Sequence, residues 1–383
     1  MFDRLLGLET EYAIRFVSAR DKLPTSSAIY DELAKVVGTL VATRPGRRTK
    51  RERFLANGGL LSYEEQPQGI GDGLVETGTP ECRGPSEVIL YQRANEDLLV
   101  RAMSQVGPAL GGEMTLLKNC RDAEGHTYGA QENYEVELAR GGWLFAWRAG
   151  LIALVPLMVV SVVLMWIIIA AMVPTMLGLL VGIGLAGLVP GMKWLTRDIG
   201  ADGRVLRMLR PMIWVEYIVW GLSCVPFMWL YRACAFRAVR RGLVPFLISR
   251  PIVSGAGTLV DDRFALSEKG VAVRGLCRRS LTRGIFMFEP GNLFKALHGL
   301  TKLDVARFAA LFGRRQRMQL GFSDSNMAQA AEYLKVATTC LVIDMIEAGA
   351  LPDPPRVRRP LRVLRQIVDG DHATALALQH TYL

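Results

Sequence analysis

The chain has 383 residues, of which 46 are Lys or Arg and 36 are Asp or Glu, giving a formal net charge of +10. This length allows one large domain beside a membrane segment, and six cysteines without a CxxC pair argue against a structural zinc site. Much of the positive charge lies next to apolar segments, so we expect anionic lipid rather than nucleic acid as its partner.

Residues 4–15 alternate in the manner of a strand, which places Glu9 and Glu11 on the same face of a sheet. Two adjacent carboxylates repel each other unless a cation lies between them. Hydrated Mg²⁺ meets this need when phosphates are the substrate. The alternative is an exposed edge strand with a charged outer face. A helix is predicted next, over residues 26–44.

Acidic residues cluster in the next part of the chain. Asn57-Gly58-Gly59 predicts a turn, residues 60–65 a short strand, residues 66–73 a glycine-rich loop and residues 85–103 a helix. Four acids lie on strand ends and loops here, where metal and phosphate chemistry is commonly found: Glu64, Glu65, Glu76 and Glu81. Residues 118–134 predict a further strand-and-turn region.

The 44 residues from Ala149 to Met192 contain no charged residue and no His. A bilayer core takes about 20 apolar residues per helix, so this run is long enough to cross a membrane twice. Because Pro174 interrupts it near the middle, the run predicts a helical hairpin with helices at about 149–171 and 174–192. A buried core helix of a soluble domain is the alternative, although globular helices rarely exceed about 20 residues.

A third apolar segment, residues 211–231, is a weaker candidate for a crossing. It contains Glu216, Gly221 and Pro226 and is rich in Trp and Tyr, which is typical of a segment lying at the membrane surface. Positive charge flanks all of these segments and favours the cytoplasmic side. We therefore expect two crossings of the inner (cytoplasmic) membrane, with the rest of the chain facing the cytoplasm.

After the apolar region, Arg317 immediately precedes a predicted strand over residues 318–322. The strand leads through Ser323-Asp324-Ser325-Asn326 into a helix predicted from Met327 to about Glu347. Asp324 or Ser325 is a ready N-cap, and a helix N-terminus facing a cleft favours phosphate. This pattern predicts a nucleotide contact by Arg317. An ordinary capped helix is the alternative.

Eight motifs, in order along the chain, resemble those of the Pup ligase and depupylase family. They cover nearly all of residues 4–140 and 236–383: GLETEY, NG followed by a strand ending in an acid, ETGTPEC, KNxxDxxGxxYGxxENY, LVPFLISRPIVSGAG, FSDSNM, LKVATTCLVIDMIEAG and ALALQHTYL. The resemblance implies a glutamine-synthetase-like α+β fold, in which an antiparallel sheet packs with helices.

The resemblance also implies the domain organisation. LARGG and FRAVRRG flank a short connection in the family but are about 95 residues apart here. Residues 1–140 and 236–383 are therefore expected to form two parts of one catalytic domain, and residues 141–235 a membrane insertion. In the family, the ligase uses ATP and Mg²⁺ to phosphorylate the C-terminal glutamate side chain of Pup, a small protein tag. A lysine amine of the target protein then displaces phosphate, whereas depupylase members place water on the same carbonyl.

Site residues follow from the same resemblance. Glu9 and Glu76 match metal-binding glutamates, with Glu11 beside Glu9 as a further candidate ligand. Thr79 matches a nucleotide contact. Glu64 falls where the family has its catalytic aspartate, which accepts the proton of the attacking group; a general base must lie within hydrogen-bond reach of that proton.

The chain also departs from the family pattern. Leu60 replaces a nucleotide-binding arginine, Ser62 a metal-linked tyrosine, and Gln131 the His of an HENY motif. Because the chain stops after ALALQHTYL, we expect the family's small C-terminal domain to be absent or replaced by a separate subunit.

Three functions remain open on the sequence alone. Tyr12 and Asn57 are only 45 residues apart, which leaves no room for the extra loop that depupylases carry, and this spacing favours a membrane-anchored, ATP-dependent Pup ligase. A depupylase-type or deamidase-type hydrolase is the second possibility. The third is a catalytically inactive membrane protein that binds a tag or partner.

Overall fold

The structure is a computed structural model, and it describes residues 4–19, 23–46, 51–65, 73–121, 128–188, 219, 221–260, 262–276, 288–289, 291–297, 299, 304–354, 357 and 359–370. The chain divides into two compact units. The first contains Met1–Glu137, Phe236–Pro290 and Arg315–Leu383, and the second contains Leu138–Ala235 and Gly291–Arg314.

A ten-stranded sheet forms the centre of the first unit, with the path β11-β12-β8-β1-β5-β4-β3-β2 and with β6 and β7 also paired to β1. Every strand pair in the described part of the chain is antiparallel. A separate hairpin is formed by β9 and β10. The strands are β1 (Leu5–Ser18), β2 (Thr43–Pro45), β3 (Arg53–Leu55), β4 (Leu60–Glu65), β5 (Gly73–Gly78), β6 (Cys82–Arg83), β7 (Gly112–Leu117), β8 (Ala130–Glu137), β9 (Thr258–Val260), β10 (Arg263–Ala265), β11 (Phe288–Glu289) and β12 (Arg315–Leu320).

Strand β1 lies inside the sheet. It pairs with β8 on one side and with β5 on the other, so the alternative of an edge strand was wrong. Its buried residues alternate as Leu6, Leu8, Thr10 and Tyr12. Because strand side chains alternate between faces, the glutamates at positions 9 and 11 share the opposite face, as the sequence predicted.

Helices α1 (Ser26–Leu40) and α2 (Pro85–Leu110) cover the apolar face of this sheet. Their buried side chains and those of the sheet make one hydrophobic core, which includes Tyr30, Leu33, Val75 and Leu99. Helix α1 ends four residues earlier than predicted, because the chain turns extended at residue 41 and enters β2. Helix α2 continues past the predicted end and stops at Gly111, whose φ of 77° suits glycine.

The first unit also contains helices from the later part of the chain: α5 (Arg237–Ser249), α6 (Pro251–Ser254), α7 (Glu268–Leu276), α10 (Gln329–Glu347) and α11 (Pro360–Val368). Helix α10 begins after Ala328, and no side chain caps its first turn. The predicted N-cap at Asp324 or Ser325 was therefore wrong. Asp324 is buried and instead accepts hydrogen bonds from the Ala256 N–H, the Ser267 hydroxyl and the Lys269 N–H.

A buried ion pair joins sequences on either side of residues 138–235. Arg250 Nη1 lies 2.9 Å from the carboxylate of Glu132, and both side chains are almost completely buried. Arg250 also donates to Thr339 Oγ1 and to the carbonyl of Phe322, and Ser323 donates to Glu132. Strand β8, the α5–α6 boundary, the residues after β12 and helix α10 are thus held by one polar network.

The second unit contains one long apolar helix, α3 (Gly141–Leu188), together with α4 (221–234), α8 (Gly291–Leu297) and α9 (Val305–Ala310). Near the N-terminus of α3, the indole N–H of Trp147 donates to the Leu311 carbonyl, and its ring packs against Phe227 of α4. Arg148 donates to the Phe312 carbonyl. The first turns of α3 are thereby tied to the end of α9.

The predicted hairpin turn at Pro174 was wrong, because α3 is continuous through that residue. A proline removes one helical hydrogen bond and kinks a helix, but apolar helices accommodate it. Among the described residues, one stretch, Gly141–Ile168, is long and apolar enough to cross a membrane. Residues 189–192 of the predicted second crossing and residues 211–218 of the third apolar segment lie outside the described residues.

We predict that Arg250→Met destabilises the first unit by about 3–5 kcal/mol, because Glu132 would remain buried without its cation. The urea dependence of the reaction between buried Cys82 and a thiol reagent measures this loss in the detergent-purified protein.

The matched control is Arg241→Met. Arg241 pairs with Asp353 at 3.3 Å, but both side chains are exposed, so the expected change is about 0–1 kcal/mol. Equal effects of the two substitutions would contradict the structural importance of the Glu132–Arg250 pair.

Candidate active site

One face of the sheet carries mostly polar and charged side chains from five adjacent strands. The strand register places Glu9 opposite Gln131 and Glu11 opposite Glu76, and it places Ser62 opposite Glu76 on the other side. We call this surface the polar face; its members are Glu9, Glu11, Leu60, Ser62, Glu64, Glu76, Gln131, Asn133, Arg317 and Gln319.

Glu76 lies at the centre of the acidic side of the polar face. Ser62 Oγ donates to its carboxylate at 2.9 Å. Burial, together with the charges of Glu9, Glu64 and Glu11, raises the pKa of Glu76 to about 7, against the opposing effect of the Ser62 hydrogen bond. Three predicted site residues, Glu9, Glu11 and Glu64, therefore lie close enough to Glu76 to repel its charge.

These carboxylates suit a divalent cation by their chemistry. Mg²⁺ takes oxygen ligands, commonly one or two carboxylates together with substrate phosphates and water. The repulsion felt by Glu76 is the kind that a cation would relieve. In the described part of the chain, however, no three acidic, His or Cys side chains are grouped tightly enough to hold a metal ion. The polar face thus supplies suitable ligands that are not gathered around one point.

The other side of the polar face is formed by β8 and β12. Arg317 Nε donates to Asn133 Oδ1 at 2.7 Å, and Arg317 Nη2 donates to Glu9 Oε1. Gln319 Nε2 donates to Glu9 Oε2 at 3.3 Å and also to Gln131 Oε1. The predicted nucleotide contact, Arg317, therefore binds a predicted metal ligand directly.

Sequence reasoning did not identify Asn133 and Gln319 as members of this site. Their signal was available only in part, because alternation within β8 and β12 places them on one face but does not show that the two strands are neighbours. The pairing of Gln319 with Asn133 in the sheet supplies that missing information.

Two other predicted residues make local contacts. Thr79 Oγ1 accepts from the Leu8 N–H at 3.0 Å and donates to the Pro80 carbonyl at 3.1 Å, which fixes the turn after β5 against β1. Glu11 accepts a hydrogen bond from the Gly129 N–H. The assigned roles of Thr79 in nucleotide binding and of Glu64 as a base remain predictions.

The fold is similar to that of solved Pup ligases. The ligase PafA in its crystal structure with the prokaryotic ubiquitin-like protein Pup aligns with a TM-score of 0.56 and 19% identity, over 100% of this chain and 56% of that chain. A second structure, of PafA in complex with ADP, aligns with a TM-score of 0.50 and 18% identity, over 96% of this chain and 59% of that chain. The mixed fold of helices and antiparallel sheet predicted from the sequence is thus confirmed.

The sequence model described as "Pup-ligase protein" matches residues 4–382, and the chain belongs to this family. A Pup deamidase/depupylase of Mycolicibacterium smegmatis is 31% identical over 172 residues, which is 40% of this chain and 31% of that protein. A Pup–protein ligase of Corynebacterium diphtheriae is 22% identical over 369 residues, which is 95% of this chain and 52% of that protein. The chain spans about one third to three fifths of the length of the curated relatives that it matches.

We predict that Glu76→Gln stabilises the metal-free protein at high pH. The raised pKa means that native Glu76 binds its proton more tightly than the unfolded chain does, so stability falls as the pH rises from about 4.5 through about 7. Allowing for partial exposure, the substitution should add about 1–2 kcal/mol near pH 8 and almost nothing near pH 4.5.

Urea unfolding in the presence of EDTA, followed at both pH values through Cys82 reactivity, measures the effect. Glu81→Gln, on the exposed turn after β5, is the control and should leave the pH dependence unchanged. An equal increase in the free energy of unfolding at both pH values would contradict the electrostatic repulsion inferred at Glu76.

Proposed function

We propose that this protein is an ATP-dependent carboxylate–amine ligase of the Pup ligase type. It would join the C-terminal glutamate side chain of a Pup-like tag to a lysine of a target protein. The observation that carries this proposal is the placement of Glu9, Glu11, Glu64 and Glu76 on one sheet face of a Pup-ligase-family fold. The solved relative bound to Pup supports a Pup-like tag as the partner.

In this proposal, Glu9 and Glu76, with Glu11, would hold Mg²⁺ beside ATP, and the ion would supply positive charge that offsets the charge of the phosphates. The tag carboxylate receives the γ-phosphoryl group and ADP leaves. The lysine amine then attacks the activated carbonyl, phosphate departs, and Glu64 accepts the amine's proton. Thr79 and Arg317 contact the nucleotide, and the ADP-bound relative supports a nucleotide site in this fold.

A hydrolase of the depupylase or deamidase type is the alternative. The Pup deamidase/depupylase from Mycolicibacterium smegmatis, with higher identity over a shorter alignment than the ligases, favours it. Water would then take the place of the lysine amine. The short spacing between Tyr12 and Asn57 favours the ligase, and for that reason we place it first. A third possibility is a catalytically inactive protein that binds a tag or partner. Leu60 and Ser62, which stand where the family has an arginine and a tyrosine, favour this possibility.

We also propose that α3 attaches the protein to the inner membrane, with the first unit in the cytoplasm. Support comes from the composition of Gly141–Ile168 and from the exposure of its large apolar side chains. Ile152, Val163 and Trp166 are each at least half exposed. Exposed apolar surface of this extent is expected to contact lipid or a partner.

The ligase proposal predicts ATP-dependent attachment of a Pup-like tag ending in Glu to a lysine-containing protein by the full-length protein in detergent. Glu9→Ala and Glu76→Ala should each reduce this rate by at least about 100-fold, because one carboxylate ligand for the ion would be lost. Gel mobility and mass spectrometry of the conjugate measure it.

Glu81→Ala serves as the control and should retain the rate of the unaltered protein. Release of ammonia from a tag ending in Gln, without conjugate formation, would contradict the ligase proposal and support the hydrolase proposal. Retention of tag binding with no turnover of either tag would support the inactive relative.

Membrane attachment predicts that the protein floats with anionic liposomes in a density gradient. Val163→Asp should reduce the floated fraction strongly, because an Asp within a spanning helix costs up to about 2.5–3.5 kcal/mol. Leu90→Asp, at an exposed position on α2, should float normally. Equal flotation of both variants would rule out α3 as the anchor.

A further inference from the structure

Both oxygens of the Glu9 carboxylate are engaged by side chains from β12. Arg317 Nη2 donates to Oε1, and Gln319 Nε2 donates to Oε2 at 3.3 Å. A cation that binds Glu9 must therefore share this carboxylate with the two donors or displace them. Arg317 is the more important of the two, since it also neutralises the charge of Glu9.

The Arg317–Glu9 pair has the exposure of an exchangeable contact. The side chain of Arg317 is 46% exposed and that of Glu9 is 22% exposed. The corresponding values for Arg250 and Glu132 are 4% and 0%. Partly exposed ion pairs contribute little to stability, so the Arg317–Glu9 pair can open at a small cost, whereas the buried pair cannot.

A second contact limits where the guanidinium can go when it leaves Glu9. Arg317 Nε is bonded to Asn133 Oδ1 at 2.7 Å, and this bond does not involve Glu9. If it is kept, the two terminal nitrogens remain over the polar face. Such a fork of donors matches phosphate geometry.

Glu76 differs from Glu9 in its partners. It accepts from the Ser62 hydroxyl, and within the described residues no Lys or Arg forms an ion pair with it. The two carboxylates proposed to share an ion thus begin from different states, because Glu9 has a resident cation and Glu76 has a neutral hydrogen-bond donor.

We propose that Arg317 is the resident counter-ion of Glu9, competes with a divalent cation for that carboxylate, and transfers to phosphate when the metal–nucleotide complex binds. The proposal rests on the proposed function for the identity of the phosphate ligand. The competition between Arg317 and the ion concerns only this chain and the metal. Arg317 is accordingly a positioning residue whose partner changes with the state of the site.

Competition has a distinctive consequence, because the same substitution should have opposite effects on two affinities. Without nucleotide, removal of Arg317 frees Glu9 and tightens metal binding. With nucleotide, the same removal deletes a phosphate contact and weakens binding of the metal–nucleotide complex. A purely structural role would weaken both, and a pure phosphate contact would leave the affinity for the metal alone unchanged.

The test is a titration of the full-length, detergent-purified protein with Mn²⁺, with free Mn²⁺ measured by electron paramagnetic resonance. In the absence of nucleotide, Arg317→Met should bind Mn²⁺ about fivefold more tightly than the unaltered protein, as expected for loss of a partly exposed ion pair. With a non-hydrolysable ATP analogue present, the variant should bind the Mn²⁺–nucleotide complex about tenfold more weakly.

Arg315→Met is the matched control. Arg315 lies on the same strand and the same face as Arg317, and it contacts Glu135 and Glu347 instead of Glu9. Its replacement by Met removes the same positive charge. It should change neither affinity by more than about twofold. In a Glu9→Gln background, Arg317→Met should no longer tighten Mn²⁺ binding, since the coupling between the two residues has been removed. Circular dichroism of each variant confirms that the fold is retained.

The proposal is overturned if Arg317→Met leaves nucleotide-free Mn²⁺ affinity unchanged or lowers it, or if no variant binds Mn²⁺ without nucleotide. It is also overturned if Arg315→Met reproduces the increase. None of these results depends on tag conjugation. Failure of the ligase assay with the Mn²⁺ result as expected would therefore refute the proposed function and leave the role of Arg317 intact.

Discussion

The buried pair of Glu132 and Arg250 is the interaction on which the fold of the first unit depends most. A carboxylate and a guanidinium at nearly zero exposure are tolerated only with each other and with further hydrogen bonds. Here Tyr134, Ser323, Thr339 and the Phe322 carbonyl supply those bonds. More than a hundred residues of sequence separate the two charges, so the pair forms only when both parts of the first unit have come together. We infer that it specifies this assembly as well as stabilising it.

Strand β8 shows how one sequence serves the core and the site together. Glu132 and Tyr134 point into the buried network, whereas Gln131 and Asn133 point to the polar face. The period of two along a strand separates these tasks by a single residue. A shift of register by one residue would bury the amides and expose the ion pair, so the buried charges also hold the polar face in its register.

Local patterns predicted much of the fold and part of the site. Alternation placed Glu9 and Glu11 on one face, and strand β4 has the predicted bounds of residues 60–65. Alternation within one strand does not show which strands pair when they are far apart in sequence, so the contact of Gln319 with Glu9 was not predicted. The N-cap prediction at Asp324 failed because tertiary hydrogen bonds hold that carboxylate in the core. The turn at Pro174 failed because proline alone does not end an apolar helix, and no other turn residue accompanies it.

The residues that depart from the family pattern change the charge balance of the polar face. By the resemblance of its sequence motif, Leu60 falls where the family has an arginine, and it brings no cation to the strand next to Glu76. Four carboxylates then face Arg317, whose guanidinium lies on the far side of Glu9. A phosphate approaching such a surface is repelled until a divalent ion has bound. The departures therefore do not argue against a cation. Under the proposed function, they would make the binding of a cation a precondition for the binding of a nucleotide, with Arg317 as the residue that responds to both.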